Sequence, residues 1–273
     1  MPGRRRPGTR ISGAARIILA HVPSIERAAT LAFAGKLREA ERIVGESSEP
    51  EARWLRAYLH NCFGRFDEAL ELAMDLAQGS DDPRVASRAL ITAASTLRQT
   101  GRHLPAHPLD ESAFRLAPDD ATRAHALVGL AADAAGLGRD SAAPLEQAAA
   151  LAPPGDWRVR VRLAWVRCEQ ALVAGRARKA VTHARDALDR SRDAGARRHE
   201  AKSLLFLGFA LREAGDREWT EHMVLAKSIA KRIGAAPIAA VAGEALQERS
   251  VPGGDSGAPA ATEAAASPRR KGR

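Results

Sequence analysis

Residues 90–119 read LITAASTLRQTGRHLPAHPLDESAFRLAPD. Three residues give this stretch its sense: Ala94, Gly101 and Ala106. The run from Leu90 to Leu97 spaces its apolar residues as a helix does, Gly101 interrupts it, and a second helix-favouring run leads to Leu116-Ala117-Pro118-Asp119. A glycine at such a junction takes the positive φ that ends a helix without a side-chain clash. The stretch therefore reads as two helices folded back on one another. Ala106 lies on the second, where the two backbones approach closely.

The same pattern recurs along the chain. It stands at Gly35/Ala40, Gly64/Ala69, Gly101/Ala106, Gly138/Ala143 and Gly175/Ala180, and ends degraded at Gly215/Thr220. The glycine steps are 29, 37, 37, 37 and 40 residues. Seven residues before each glycine stand Ala28, Ala57, Ala94, Ala131, Cys168 and Gly208, all small. A period in this range means stacked supersecondary units, each unable to bury its apolar face alone. Helix formers prevail and no long run keeps a strand period, so the fold class is all-α. Two prolines, Pro105 and Pro108, follow the third hinge. Proline is tolerated only in a first helical turn, so that helix is expected to begin near Pro108, with Pro144 trimming the next unit in the same way.

These columns resemble the tetratricopeptide repeat, with its small residue on the first helix, glycine at the turn and alanine on the second helix. Leu116-Ala117-Pro118-Asp119 and Leu151-Ala152-Pro153 are similar to the sequence that closes each unit of that family. The resemblance implies a right-handed superhelical solenoid of six degenerate repeats over residues 23–234, whose first helices line a concave groove. A closing helix is expected over 235–248, from Ala236 to Glu248. The columns that the family's carboxylate clamp needs read Ile25 and Ala29 in the first unit, so chaperone-tail recognition of that type is not expected. The longer units around Gly175 and Gly215 look like the variant found in sensor domains of bacterial regulators.

Charge divides the chain. The formal net charge is +9. Residues 1–22 carry five basic and no acidic groups, and 249–273 carry five basic and two acidic, so these segments hold +8 of the total. Both read as flexible basic flanks, the second too poor in apolar groups to order itself. Within the repeats, residues 23–155 carry fourteen basic and nineteen acidic groups, and residues 156–217 carry fifteen and eight. Cys62 and Cys168 lie on separate units, and the second falls in the small-residue column, which suits a buried thiol. No apolar run is long enough to span a membrane. Arg16 interrupts the stretch before Ile17-Ile18-Leu19 and no Ala-x-Ala site follows, so a cytoplasmic protein is expected.

No catalytic constellation appears: the glycines are too far apart to cradle a phosphate, and no nucleophile-elbow or His-Glu-x-x-His pattern occurs. His103 and His107 are four apart, but Pro105 and Pro108 disrupt the geometry a metal would need. The chain reads as a non-enzyme without cofactor or metal. In phase with the glycines, the first helices place Trp54, Tyr58 and Asn61, then Arg88 and Arg98, then Arg162, Trp165 and Glu169, then Lys202, on one inner stripe. Aromatic and Arg residues are the types that anchor interfaces. The expected function is a scaffold that takes a peptide segment or protein partner, with a preference for acidic groups. The alternatives are a nucleic-acid-associated protein using the basic flanks and the 158–217 surface, and a signal-sensing repeat module.

Overall fold

A computed structural model describes residues 25–248. Residues 1–24, with the basic segment 1–22, and the tail 249–273 lie outside the described residues. Among the described residues there are thirteen helices and no strand. They are α1 (Ile25–Phe33), α2 (Leu37–Val44), α3 (Pro50–Phe63), α4 (Phe66–Gly79), α5 (Pro83–Gln99), α6 (His103–Leu116), α7 (Asp120–Gly136), α8 (Ala142–Leu151), α9 (Trp157–Val173), α10 (Ala177–Asp193), α11 (Arg197–Glu213), α12 (Trp219–Ile233) and α13 (Ala236–Glu248). None is long and apolar enough to cross a membrane.

All six hinge glycines sit between the helices of a pair with φ between +65° and +85°. The amide after each one closes the preceding helix by donating to the carbonyl five residues back, as Arg102 does to Leu97 at 3.0 Å and Arg176 to Ala171 at 2.8 Å. This is the hydrogen-bond pattern of a left-handed C-terminal cap, and it satisfies carbonyls the helix would leave orphaned. The helix after the hinge then starts two residues on in α2, α4, α6 and α10. That phase puts Ala40, Ala69, Ala106 and Ala180 at zero exposure.

The start of α6 and the burial of Ala143 need correction, while Pro144 trims its unit as expected. Helix α6 starts at His103, not near Pro108, and contains both prolines. The first four amides of a helix have no intrahelical acceptor, so Pro105 forfeits nothing, and only Pro108 removes a bond. Helix α8 starts late, at Ala142, with Pro144 in its first turn and the Asp140 carboxylate accepting from the Ala142 amide at 2.9 Å. This delay turns Ala143 to solvent, and Leu145 and Ala148 take the buried positions instead.

Each helix packs on its neighbour in chain order, and each odd-numbered helix also packs on the next odd-numbered one. The small column explains how they come so close: Ala28, Ala57, Ala94, Ala131 and Cys168 are fully buried between helices. The two ends then meet. Helix α1 packs on α11 and α3 on α13. Ile233 of α12 joins the apolar cluster of the first two hairpins, and the Phe33 ring lies 5.8 Å from that of Trp157 and 6.2 Å from that of His199. A side chain at Gly35 would meet Arg197 Cβ at 2.7 Å, and one at Gly64 would meet Pro237 at 3.2 Å. Helices α3, α5, α7, α9 and α11 consequently line one central space, and α1 and α13 bridge the first and last hairpins.

Candidate functional site

The central space has two chambers that share Ser95 and Arg162. The first, roughly 930 Å³ including space open to solvent, lies at the N-terminal ends of α7, α9 and α11 and against the middle of α3 and α5. The second, roughly 870 Å³ on the same measure, lies along the later turns of α5, α7, α9 and α11.

The inner stripe read from the sequence falls here. Trp54, Tyr58, Asn61, Arg88 and Arg162 line the first chamber. Arg98, Arg162, Trp165, Glu169 and Lys202 line the second. The helical repeat accounts for the placement. Arg88, His125 and Arg162 are 37 residues apart and Lys202 a further 40, so they occupy one column on successive inner helices. Neighbours in that column bond directly. Arg88 donates to both carboxylate oxygens of Glu51 at 2.8 Å, and Arg162 donates to His125 Nδ1 at 2.9 Å and to the His125 carbonyl at 3.1 Å.

The tryptophans are wall rather than free anchors. Trp54 and Trp165 are buried, and each indole N–H donates one inner helix onward, to Thr92 at 3.1 Å and to Ser203 at 2.9 Å. Their rings face cations: the Arg88 guanidinium stands 3.6 Å from the Trp54 ring and Lys202 Nζ 4.8 Å from that of Trp165. Trp165 also stacks between His199 (5.4 Å, 14°) and Phe206 (6.0 Å, 12°), which makes an aromatic column running from the first chamber into the second.

Charge is distributed unevenly over this wall. In the first chamber Arg158, Arg162 and Arg198 make no ion pair with any described residue. The carboxylate that lines this chamber, Asp156, is already engaged: it caps α9 by accepting from the Val159 amide at 3.1 Å and faces His125 Nε2 at 3.4 Å. Because His125 Nδ1 accepts from Arg162, its proton belongs on Nε2 toward Asp156. Burial pushes the His125 imidazole down to about 4, with Arg158 and Arg162 adding to the effect against Asp156. Burial, then Arg198 and Arg158, hold His199 well below the ordinary imidazole range. Burial also lowers Arg162 to about 10, with Arg98 adding to it, and it lowers Arg158. Several buried polar atoms here have no partner: the Tyr58 hydroxyl, Asn61 Oδ1, Arg158 Nε, Arg198 Nε and His199 Nδ1.

The second chamber carries its charge differently. Arg98 lies between Asp110 and Asp133, both fully buried, donating to Asp110 and to Asp133 at 3.1 Å, and His103 Nδ1 faces Asp133 at 3.5 Å. Two glycines inside α7 make room for this group, since a side chain at Gly129 would strike the Asp110 carboxylate and one at Gly136 the His103 ring. Burial raises Asp110 to about 6 against the pull of Arg98, and raises Glu169. Burial, then Arg198, lowers Lys202 to about 7. His103 therefore belongs to an ion network on the lumen wall. His107 faces Glu111 at 3.6 Å on the same helix. Among the described residues no group of His, Cys, Asp and Glu is arranged to hold a metal. The thiols of Cys62 and Cys168 are buried and unpaired, with burial raising both above the usual range.

Arg198, His199 and the Arg98–Asp110–Asp133 group were not singled out from the sequence. Signals for them exist. Arg198 lies one 40-residue step after Arg158, and Gly129 in the middle and Gly136 at the end of α7 mark close approach. No family model matches the chain, and no curated protein matches it.

Proposed function

We propose that this chain is a non-catalytic binding module of tetratricopeptide-like hairpins, wound through one closed turn, whose lumen captures an acidic group of a peptide or protein partner. The hinge glycines and the contacts between successive odd-numbered helices support the architecture. The observation that carries the function is the set of three lumenal arginines, Arg158, Arg162 and Arg198, without ion-pair partners among the described residues. Taking a cation out of water is costly unless it is paired, so a site of this kind favours a ligand that brings the missing negative charge. The helix starts around the first chamber act in the same sense.

Four of the fifteen basic groups of residues 156–217, Arg158, Arg162, Arg198 and Lys202, line the lumen instead of adding to the outer surface. This favours an acidic partner entering the lumen over nucleic acid lying on the outside. The test is fluorescence anisotropy of the full chain with a Glu-rich and a Lys-rich decapeptide, beside duplex DNA, across a salt series. The Glu-rich peptide is expected to bind, and Arg162→Gln to weaken it about tenfold, the loss of one charge-assisted contact. Binding of DNA alone, unchanged by Arg162→Gln, would refute the proposal.

A further inference from the structure

We infer that the two chambers together accept an amphipathic oxyanion: a phosphomonoester head in the arginine chamber, joined to an extended apolar body in the second. The inference rests on the lumen being the binding site and specifies what the ligand must look like.

The head follows from the unpartnered atoms. Tyr58, Asn61, Arg198 and His199 all line the first chamber and are more than nine-tenths buried, and each has a buried polar atom without a hydrogen-bond partner; Arg158 Nε is likewise buried and unsatisfied. The set is dominated by donors: two guanidinium N–H groups, a phenol, and an imidazole nitrogen that donates in one tautomer. Asn61 donates as well once its amide is turned. Such a wall requires a ligand that presents several acceptor oxygens. A carboxylate offers two oxygens and one charge. A phosphomonoester offers three terminal oxygens and close to two charges, which matches the arginines left uncompensated here. Buried donors left unmade are costly, so a ligand of this shape gains the full difference.

The body follows from the adjoining wall. Val128, Val166, Leu205, Phe206 and Phe209 line the second chamber beside Trp165. The aromatic column of His199, Trp165 and Phe206 crosses from one chamber to the other without interruption. Arg198 to Phe209 spans about 16 Å along α11, room for a head group and a medium-length chain lying beside it. The charged groups of the second chamber do not compete for the head, since Arg98 is held between two aspartates and Lys202 stands over the faces of Trp165 and Phe206.

The test is calorimetric titration of the full chain at pH 7 with octyl phosphate, inorganic phosphate, 1-octanol, octanoate and a Glu-rich decapeptide. Quenching or shift of tryptophan emission in wild type, but not in Trp165→Phe, reports occupancy of the second chamber. Octyl phosphate is expected to bind at least tenfold tighter than inorganic phosphate, octanol or octanoate. The double variant Arg158→Gln/Arg198→Gln is expected to lower octyl phosphate affinity at least tenfold and leave octanol unchanged. Because it removes uncompensated buried charge, it should melt no lower than wild type, so a null result cannot be laid to unfolding. Ala132→Trp, which fills the second chamber, should bring octyl phosphate down to the affinity of inorganic phosphate. Equal affinities for octyl phosphate and inorganic phosphate, or an octyl phosphate affinity untouched by the double arginine variant, would overturn the inference. Octanoate binding as tightly as octyl phosphate would overturn the choice of a doubly charged head. Tight binding of the peptide with none of octyl phosphate would sink the amphiphile and leave the acidic-partner reading standing; failure of both would sink both.

Discussion

Arg98 and Arg198 are both buried arginines on the same inner wall, yet they are held in opposite ways. Arg98 lies between two carboxylates that have no exposure at all, in a group whose members come from α5, α6 and α7 and for which α7 gives up two side chains. Arg198 is 6% exposed, faces the Tyr58 ring at 5.9 Å, and has no carboxylate partner among the described residues. The first arrangement locks three helices together. The second leaves a charge desolvated, which weakens the folded state and is tolerable where an occupant completes it. A charge that finds its partner inside the fold belongs to the architecture, and on the proposed reading the one that finds none marks the site.

The largest effect that would break this comparison comes from truncating both arginines alike. Arg98→Met strands Asp110 and Asp133 without their shared cation, and is expected to cost about 3–5 kcal/mol in urea unfolding. Arg198→Met removes a charge with no partner to strand, and is expected to leave stability unchanged or raise it by about 1 kcal/mol. Equal losses would mean that the two arginines play one structural role.

Acid sharpens the same contrast at the other face of Arg162. The His125 imidazole is held neutral at about 4 in the folded chain, against about 6.5 in the unfolded chain. Between those values the unfolded chain binds the proton and the folded chain does not. Stability from this group is therefore fully present above about 6.5 and is lost as the pH falls toward about 4. Asp110 works the other way: raised to about 6 in the folded chain, it takes up its proton first there and offsets most of the loss. The two contributions are of similar size, so the expected result is little net change in wild type between pH 6.5 and 4, and in His125→Gln, where only the Asp110 contribution remains, a rise of about 2 kcal/mol on acidification. A His125→Gln variant with an unaltered pH profile would show that Arg162 does not hold the ring in its accepting tautomer.

How much of this was readable in advance depends on range. The hinges were legible because a helix-ending glycine is a local event, and all six have the expected φ. The inner stripe was legible because adding 37 or 40 residues moves a position to the same place on the next inner helix, as Glu51 to Arg88 and His125 to Arg162 show by bonding. The start of α6 was misread because two prolines look prohibitive until the free amides of the first turn are counted. The burial of Trp54 and Trp165 and the meeting of α1 with α11 were not legible. They depend on the small rotation between hairpins summed over the whole chain, and no window of sequence carries that sum. An open groove and a closed lumen have the same local pattern.

The smallest effect tests the seam that closes the lumen, by comparing two hinges that differ only in their surroundings. Gly35 and Gly138 both turn a hairpin at positive φ, +85° and +66°. A β-carbon at Gly138 meets nothing within 4 Å, so Gly138→Ala carries only the backbone strain of about 1–2 kcal/mol. At Gly35 the same carbon would press on Arg197 Cβ at 2.7 Å and on Ile233 at 3.1 Å, across the join between the first and last hairpins. Gly35→Ala is therefore expected to cost about 1 kcal/mol more than Gly138→Ala, the overpacking of a close contact. The excess should be local: hydrogen exchange should quicken in α1 and α11 and stay unchanged in α7 and α8. If the two variants matched in stability and in exchange, the first and last hairpins would not bear on each other. The chambers would then have an open side, and the arginines that line them would face bulk solvent.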